Sequence, residues 1–195
     1  MKLRNLTAFI SIFILACLIA SCGSGSEGFI KKFEAAVNSH KVDSVLAYYA
    51  PDVTVLMGRQ RTPVTREEMR PLAEWDSIVG SQIRIEINRV NGDSVIGRKI
   101  ERSEWFRLYG LDSVIFDPWV VQVKDNAITS IAAQLTIESA TRMSQAYNSV
   151  QEWARAERSY ELKELMPEGN FRYGTESAIR WLKLLREWRK ATGQE

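Results

Sequence analysis

Phe29-Ile30-Lys31-Lys32-Phe33-Glu34-Ala35-Ala36-Val37-Asn38-Ser39-His40-Lys41-Val42-Asp43-Ser44-Val45-Leu46-Ala47-Tyr48-Tyr49-Ala50-Pro51-Asp52-Val53-Thr54-Val55 is the stretch that decides how this chain is read. Phe29, Phe33, Ala36 and Val37 recur at i, i+4, i+7 and i+8, the apolar face of a helix. Ser26 stands where a cap is wanted. Asn38-Ser39-His40-Lys41 is a polar break. Val42, Val45, Leu46 and Tyr49 then share one face of a second, short helix, which Pro51 ends. Val53, Val55 and Met57 alternate with Thr54 and Leu56, a strand pattern. His40, the only histidine, reads as a solvated loop residue.

Further along, Thr65-Arg66-Glu67-Glu68 fits a capping box and should open a third helix, which Pro71 would kink or shorten. Ile83, Ile85 and Ile87 alternate with polar residues and are followed by Asn91-Gly92, a two-residue hairpin signal. With that loop Ile85 faces Arg98, so Arg98 lands on the isoleucine face. A second β-rich pair, 113–123 and 127–135, turns at Asp125-Asn126. On that register Trp119 faces Ala132 and Asp117 faces Gln134. Both faces of the pair are apolar, so a cover on each side is expected. Pro118 marks an edge, a bulge or a strand break. The tail is helical, with one stripe of Met143, Ala146, Tyr147, Val150, Trp153 and Ala154. Ala178, Trp181, Leu182, Leu185 and Trp188 form another. Pro167-Glu168-Gly169-Asn170 separates them. The order of elements is α+β.

At the other end, a basic start (Lys2, Arg4) precedes 15 apolar-rich residues, Leu6 to Ala20. That is short of the roughly 20 needed to span a bilayer, and it has the layout of a secretory signal. Leu18-Ile19-Ala20-Ser21-Cys22 resembles the lipobox of bacterial lipoproteins, which implies cleavage before Cys22 and acylation of that cysteine. The expected organisation is a signal over 1–21, a tether over 22–27, an α+β domain over 28–136 and a helical extension over 137–195 packed on it. The whole chain has 26 basic and 24 acidic residues. Removal of Lys2 and Arg4 would leave the mature chain neutral, with no global field to attract nucleic acid. With one histidine and no thiol left in the mature body, no metal site and no cofactor are expected. The implied partner is the membrane, through lipidated Cys22. The implied place is the bacterial envelope, with the outer membrane favoured because Gly23 rather than aspartate follows the cysteine.

The stretch from Phe29 to Val55, with its helix, polar turn, second helix and Tyr-Ala-x-Asp-Val before a strand, resembles the opening of the nuclear transport factor 2-like superfamily. The similarity includes its polyketide-cyclase-like (SnoaL-like) branch and extends more weakly to about Leu135. It implies a cone, a curved antiparallel sheet whose wide end is closed by helices, often around an apolar pocket. The superfamily's steroid isomerases place a general-base aspartate where this chain has Met57, and an oxyanion-donating tyrosine where it has Phe33. That chemistry is therefore not expected. A late-strand carboxylic acid of the same enzymes, kept protonated by a raised pKa, falls near Asp117. Asp117 is thus the candidate acid or base, if it points inward beside Trp119.

Arg98 on an isoleucine face needs a partner such as Asp117, Glu101 or an acidic ligand. Trp119, Trp105, Tyr49, Met57 and Gln134 are candidate pocket residues. Glu101, Arg102 and Glu104 read as a solvated face. Three functions remain open: a cone binding a small apolar or amphipathic ligand, a cyclase- or hydrolase-like enzyme using Asp117, and an interaction module or homodimer. Enzyme activity is the less favoured of these readings because of Met57 and Phe33.

Overall fold

The structure is a computed structural model that describes residues 22–57 and 60–194; the signal over 1–21 lies outside them. Helices α1 (Cys22–Asn38) and α2 (Val42–Leu46) lead into strands β1 (Tyr49–Met57) and β2 (Gln60–Thr65). A 3-10 turn (Glu67–Met69) and α3 (Arg70–Val79) follow, then β3 (Gln82–Asn91), β4 (Ser94–Arg102), short α4 (Glu104–Leu108), β5 (Val114–Lys124) and β6 (Ala127–Leu135). The extension comprises α5 (Ile137–Glu157), α6 (Ser159–Leu165) and α7 (Thr175–Ala191). Among the described residues no helix is long and apolar enough to cross a membrane.

The strands form one curved sheet in the order β2-β1-β6-β5-β4-β3, antiparallel except for β1 beside β6. The fold class is the α+β cone expected from the sequence. The concave face carries Val53, Ile83, Ile85, Val95, Trp119, Val121, Val123 and Ile128, all buried against Ile30, Phe33 and Val37 of α1, Leu46 of α2 and Ala73 of α3.

Helix α1 also closes the free edge of β3. Asn38 accepts from the Ile83 amide at 2.7 Å and donates to its carbonyl at 2.9 Å. Glu34 accepts from the Ile85 amide at 2.6 Å, and Lys31 donates to the Ile85 carbonyl at 2.7 Å. Side chains one helical turn apart thus replace a missing strand, and the edge is blunted.

Several expectations are corrected. Helix α1 begins at Cys22, so Ser26 does not cap it and the Gly-Ser residues continue its first turns. Strand β1 begins at Tyr49, so the second helix stops at Leu46, well before Pro51. Strand β2 was not anticipated. The capping box forms, with the Glu68 amide donating to Thr65 Oγ1 at 3.3 Å and Glu68 accepting from the Thr65 amide at 2.6 Å. Those bonds hold the Glu68 carboxyl below its ordinary range. Pro71 lies in the first turn of α3, where its missing N–H costs nothing, so it does not kink the helix. His40 is half-buried, with a φ of 57° and Nε2 2.8 Å from the Ser81 carbonyl.

The most consequential correction concerns β3 and β4. Their two-residue loop is Gly92-Asp93, and the pairing slips once more at Asn88. The net change is odd, and an odd slip exchanges the two faces of a strand. Lys99, not Arg98, faces Ile85, and Glu101 faces Ile83. Arg98 lies opposite Glu86 on the convex side. In the second hairpin the turn at Asp125-Asn126 forms with both residues at positive φ. A bulge between Gln122 and Val123 then moves Trp119 opposite Ala133, and a second spans Asp117 and Pro118.

The tail builds its own core. Trp181, Leu184, Leu185 and Ala178 of α7 are fully buried with Val150 and Ala154 of α5, Trp75 and Val79 of α3, and Phe106 of α4. Helix α7 therefore turns its apolar stripe inward. Helix α3 is shared, with Ala73, next to Met69 of the preceding turn, facing the cone and Trp75 and Val79 facing the tail.

Candidate functional site

A polar cluster sits where α3 ends against β4. Gly80 takes the left-handed conformation at φ 66°, and the Ser81 amide bonds back to the Asp76 carbonyl at 2.8 Å. This is a Schellman closure, and glycine meets its positive φ without strain. The turn folds Ser81, which is 1% exposed, onto the last helical turn. Its Oγ comes within 3.3 Å of Asp76 Oδ1 and 3.3 Å of Glu101 Oε1. Period-two geometry on β4 puts Lys99 beside Glu101 on the concave face. Lys99 Nζ lies 2.8 Å from Glu101 Oε2 and 4.1 Å from the centre of the Phe116 ring. The two charged side chains are only 20% and 13% exposed.

Electrostatics follow from this placement. Burial, with the Glu101 charge second, pushes the Asp76 carboxyl up to about 7, against the opposing pull of Lys99 and the Ser81 hydroxyl. Ser81 has one hydroxyl proton. Its contacts to both carboxyls are hydrogen bonds together only if one carboxyl is itself protonated. The raised Asp76 is the group suited to carry that proton. The chain Asp76–Ser81–Glu101–Lys99 is then satisfied with one negative and one positive charge.

Two tyrosines report the same local field. Burial and then the Asp76 charge raise the Tyr49 hydroxyl. Burial, then Asp76 and Glu101, raise that of Tyr173. Tyr173, 48% exposed, stands edge-on to Trp75 with ring centres 5.7 Å apart and forms the solvent-side limit of the cluster.

The sequence-based candidates divide. Trp119 is buried on the concave face, and Tyr49 is buried near it at the start of β1. The side chain of Met57, at the end of β1, and that of Cys22 lie outside the described set. Asp117 does not point inward beside Trp119; it is exposed in the β5 bulge. Arg98 is half-buried on the convex side, its Nε buried without a hydrogen-bond partner. Among the described residues it has no carboxylate within 4 Å, so Arg98 and Asp117 do not form a pair. Gln134 is exposed, because Ala133 takes the inward position opposite Trp119. Trp105 belongs to the tail core, edge-on to Trp75 and Tyr109, rather than to the cone.

Asp76, Ser81, Lys99, Glu101 and Tyr173 were missed. Val79-Gly80-Ser81 carried a usable signal, because a glycine closing a helix brings the residue after it back beside the last turn. Lys99 and Glu101 needed the correct register.

No family model matches the chain, and no curated protein matches it in sequence. Solved structures do match in fold. The epoxide hydrolase/cyclase-like enzyme SalBIII, described in pyran ring formation in the polyether salinomycin, is 13% identical with a TM-score of 0.51, covering 60% of this chain and 94% of that one. A protein from Kribbella flavida is 13% identical with a TM-score of 0.50, covering 64% and 95%. An NTF2-like protein of unknown function from Cytophaga hutchinsonii is 9% identical with a TM-score of 0.47, covering 60% and 94%. The chain shares the fold of SalBIII and of the Kribbella flavida protein, an α+β fold with a curved sheet of the kind that the resemblance of Phe29 to Val55 implied.

Proposed function

We propose that this protein is a lipid-anchored envelope protein whose cone binds a small, largely apolar molecule and acts on it by acid–base chemistry. The observation that carries the reading is the Asp76–Ser81–Glu101–Lys99 chain set into an apolar concave face. Two carboxyls held apart in protonation can work as a pair, one giving a proton while the other takes one. A cyclic ether or epoxide suits such a pair. Protonated Asp76 would donate to the ring oxygen as a C–O bond breaks. Glu101 would accept the proton of the attacking hydroxyl or water as the new C–O bond forms. Proton count and charge are conserved, since one carboxyl loses the proton that the other gains. The epoxide hydrolase/cyclase-like description of SalBIII agrees with this class of reaction. Phe116 and Tyr173, the aromatic side chains of the cluster that are not buried, would pack the apolar body of the ligand. The anchor rests on the lipobox-like Leu18-Ile19-Ala20-Ser21-Cys22.

Two measurements test it. The first is native mass spectrometry of Cys22→Ser protein purified without detergent from the host envelope, together with label incorporation from palmitate into the wild type. A bound small molecule and label dependent on Cys22 are the expected results. The second is turnover of a panel of small apolar epoxides. Activity should fall at least about 100-fold in Asp76→Asn and in Glu101→Gln, persist in Asp117→Asn, and decline as pH rises through about 7. Equal rates in all of these variants would overturn the assignment of the site.

A further inference from the structure

The extension holds a second concavity that the cone chemistry does not use. A groove of about 550 Å³ lies between α5 and α6, of the size that small ligands fill. Tyr147, Gln151 and Arg155 line it at i, i+4 and i+8 along α5; Leu162, Lys163 and Met166 line it from the other side. Among the described residues its lining contains two cations and no carboxylate. Neither Arg155 nor Lys163 has a carboxylate within 4 Å among those residues, whereas the neighbouring Arg158 is paired with Glu187 at 2.9 Å. Two donors converge on a poor acceptor: the Tyr147 hydroxyl stands 3.0 Å and Gln151 Nε2 3.3 Å from the Met166 sulfur. A thioether is a weak hydrogen-bond acceptor, so both donors are available to a stronger one. Behind them the Tyr109 hydroxyl is buried with no hydrogen-bond partner among the described residues.

From this charge complementarity and the under-used donors, we infer that the α5–α6 groove binds a small amphiphilic carboxylate. Its head would be held by Arg155, Lys163, Tyr147 and Gln151, and its apolar part would lie on Leu162 and Met166. Charge-assisted hydrogen bonds would replace two contacts to sulfur.

The methyl group of Met166 is the natural reporter, because an anion that draws the Tyr147 hydroxyl away must change its surroundings. Full-length protein carrying labelled methionine methyl groups in a neutral detergent would be titrated with decanoate, with decanol, and with vesicles of phosphatidylglycerol. Met166→Leu would assign the resonance. A saturable shift at Met166 with decanoate, weakened at least about tenfold in Arg155→Gln/Lys163→Gln, is the expected result. Both substituted side chains are exposed, so the variant should fold. An equal shift with decanol would overturn the proposal by showing that charge is not read. A shift with vesicles but not decanoate would replace the free carboxylate with a membrane lipid. No saturable shift with any probe would reject the site.

Discussion

Arg98 and Lys99 are neighbours on β4 and opposites in the fold. Lys99 reaches into the concave side, where Glu101, Phe116 and the Ser81–Asp76 turn surround it. Arg98 lies on the convex side near the exposed Asp117, with no carboxylate within reach among the described residues and one nitrogen left without a partner. The cone can hold three ionisable side chains in an apolar wall because each is paired with the next. On the convex side Glu86, opposite Arg98, is paired instead with Arg84 at 3.3 Å in an exposed bridge, and Arg98 is left out. Charge in a sheet perturbs neighbours only where desolvation and a partner occur together, and that condition separates the two faces.

The sharpest test of this contrast is Lys99→Met beside Arg98→Met. Removing Lys99 leaves Glu101 without its cation in a largely buried site, and should cost about 3 kcal/mol in denaturant unfolding at pH 8. The cost should shrink toward pH 5 as the Asp76 carboxyl beside Glu101 takes up its proton. Arg98→Met should change stability by less than about 1 kcal/mol, because its Nε already lacks a bond that the substitution could remove. Equal costs for the two would erase the distinction.

Next in size is Gly97→Ala. A Cβ at Gly97 would lie 2.4 Å from the Glu86 carbonyl oxygen, a backbone atom that cannot step aside. Gly97 and Lys99 lie two apart on β4 and face the same side, opposite Ile87 and Ile85, just past the slip at Asn88. The expected cost is about 2 kcal/mol from overpacking. If the strand answers by slipping instead, Arg98 and Lys99 exchange faces, and the Lys99–Glu101 ion pair disappears from a crystal structure of the variant.

Most of the cone was legible from local pattern, because its helices and strands are set by residues close in the chain. Phe33 and Val37 of the helical face and Ile83 and Ile85 of the alternation survive into the buried core, with Phe29 and Ile87 partly buried against it. The functional wall was not legible, for a physical reason. Which residues of β4 face inward depends on one loop position and one bulge, and a single-residue error reverses every side chain. Asn91-Gly92 is a strong turn signal, yet the loop falls on Gly92-Asp93. The charged run around Glu101 thus read as solvated when Glu101 itself is interior. Asp117 read as a pocket acid because the bulge at Pro118, anticipated in kind, was not carried into its orientation.

Asp76 supplies a pH test of the interior face. Its folded pKa of about 7 lies above its ordinary value of 3.8. The folded state therefore holds this proton more tightly than the unfolded chain does. The group's contribution to stability falls as pH rises from about 4 to about 7, and is flat beyond. Asparagine at 76 mimics the protonated acid and can still meet Ser81. Asp76→Asn should stabilise the protein at pH 8 by a few kcal/mol and should change little at pH 4. A variant whose stability parallels the wild type at every pH would mean that Asp76 titrates normally.

The smallest expected effect belongs to Asp117→Asn, the matching change on the outside. Asp117 is exposed in its bulge and has no ion-pair partner within 4 Å among the described residues. Loss of its charge should shift stability by less than about 0.5 kcal/mol at any pH. Measured beside Asp76→Asn over the same pH range, it asks whether the bulge is only a bend that sends the strand past Trp119. A pH-dependent difference near neutrality in Asp117→Asn would show that its carboxyl is desolvated after all. It would also show that the convex and concave charges of this sheet are coupled through the bulge rather than separated by it.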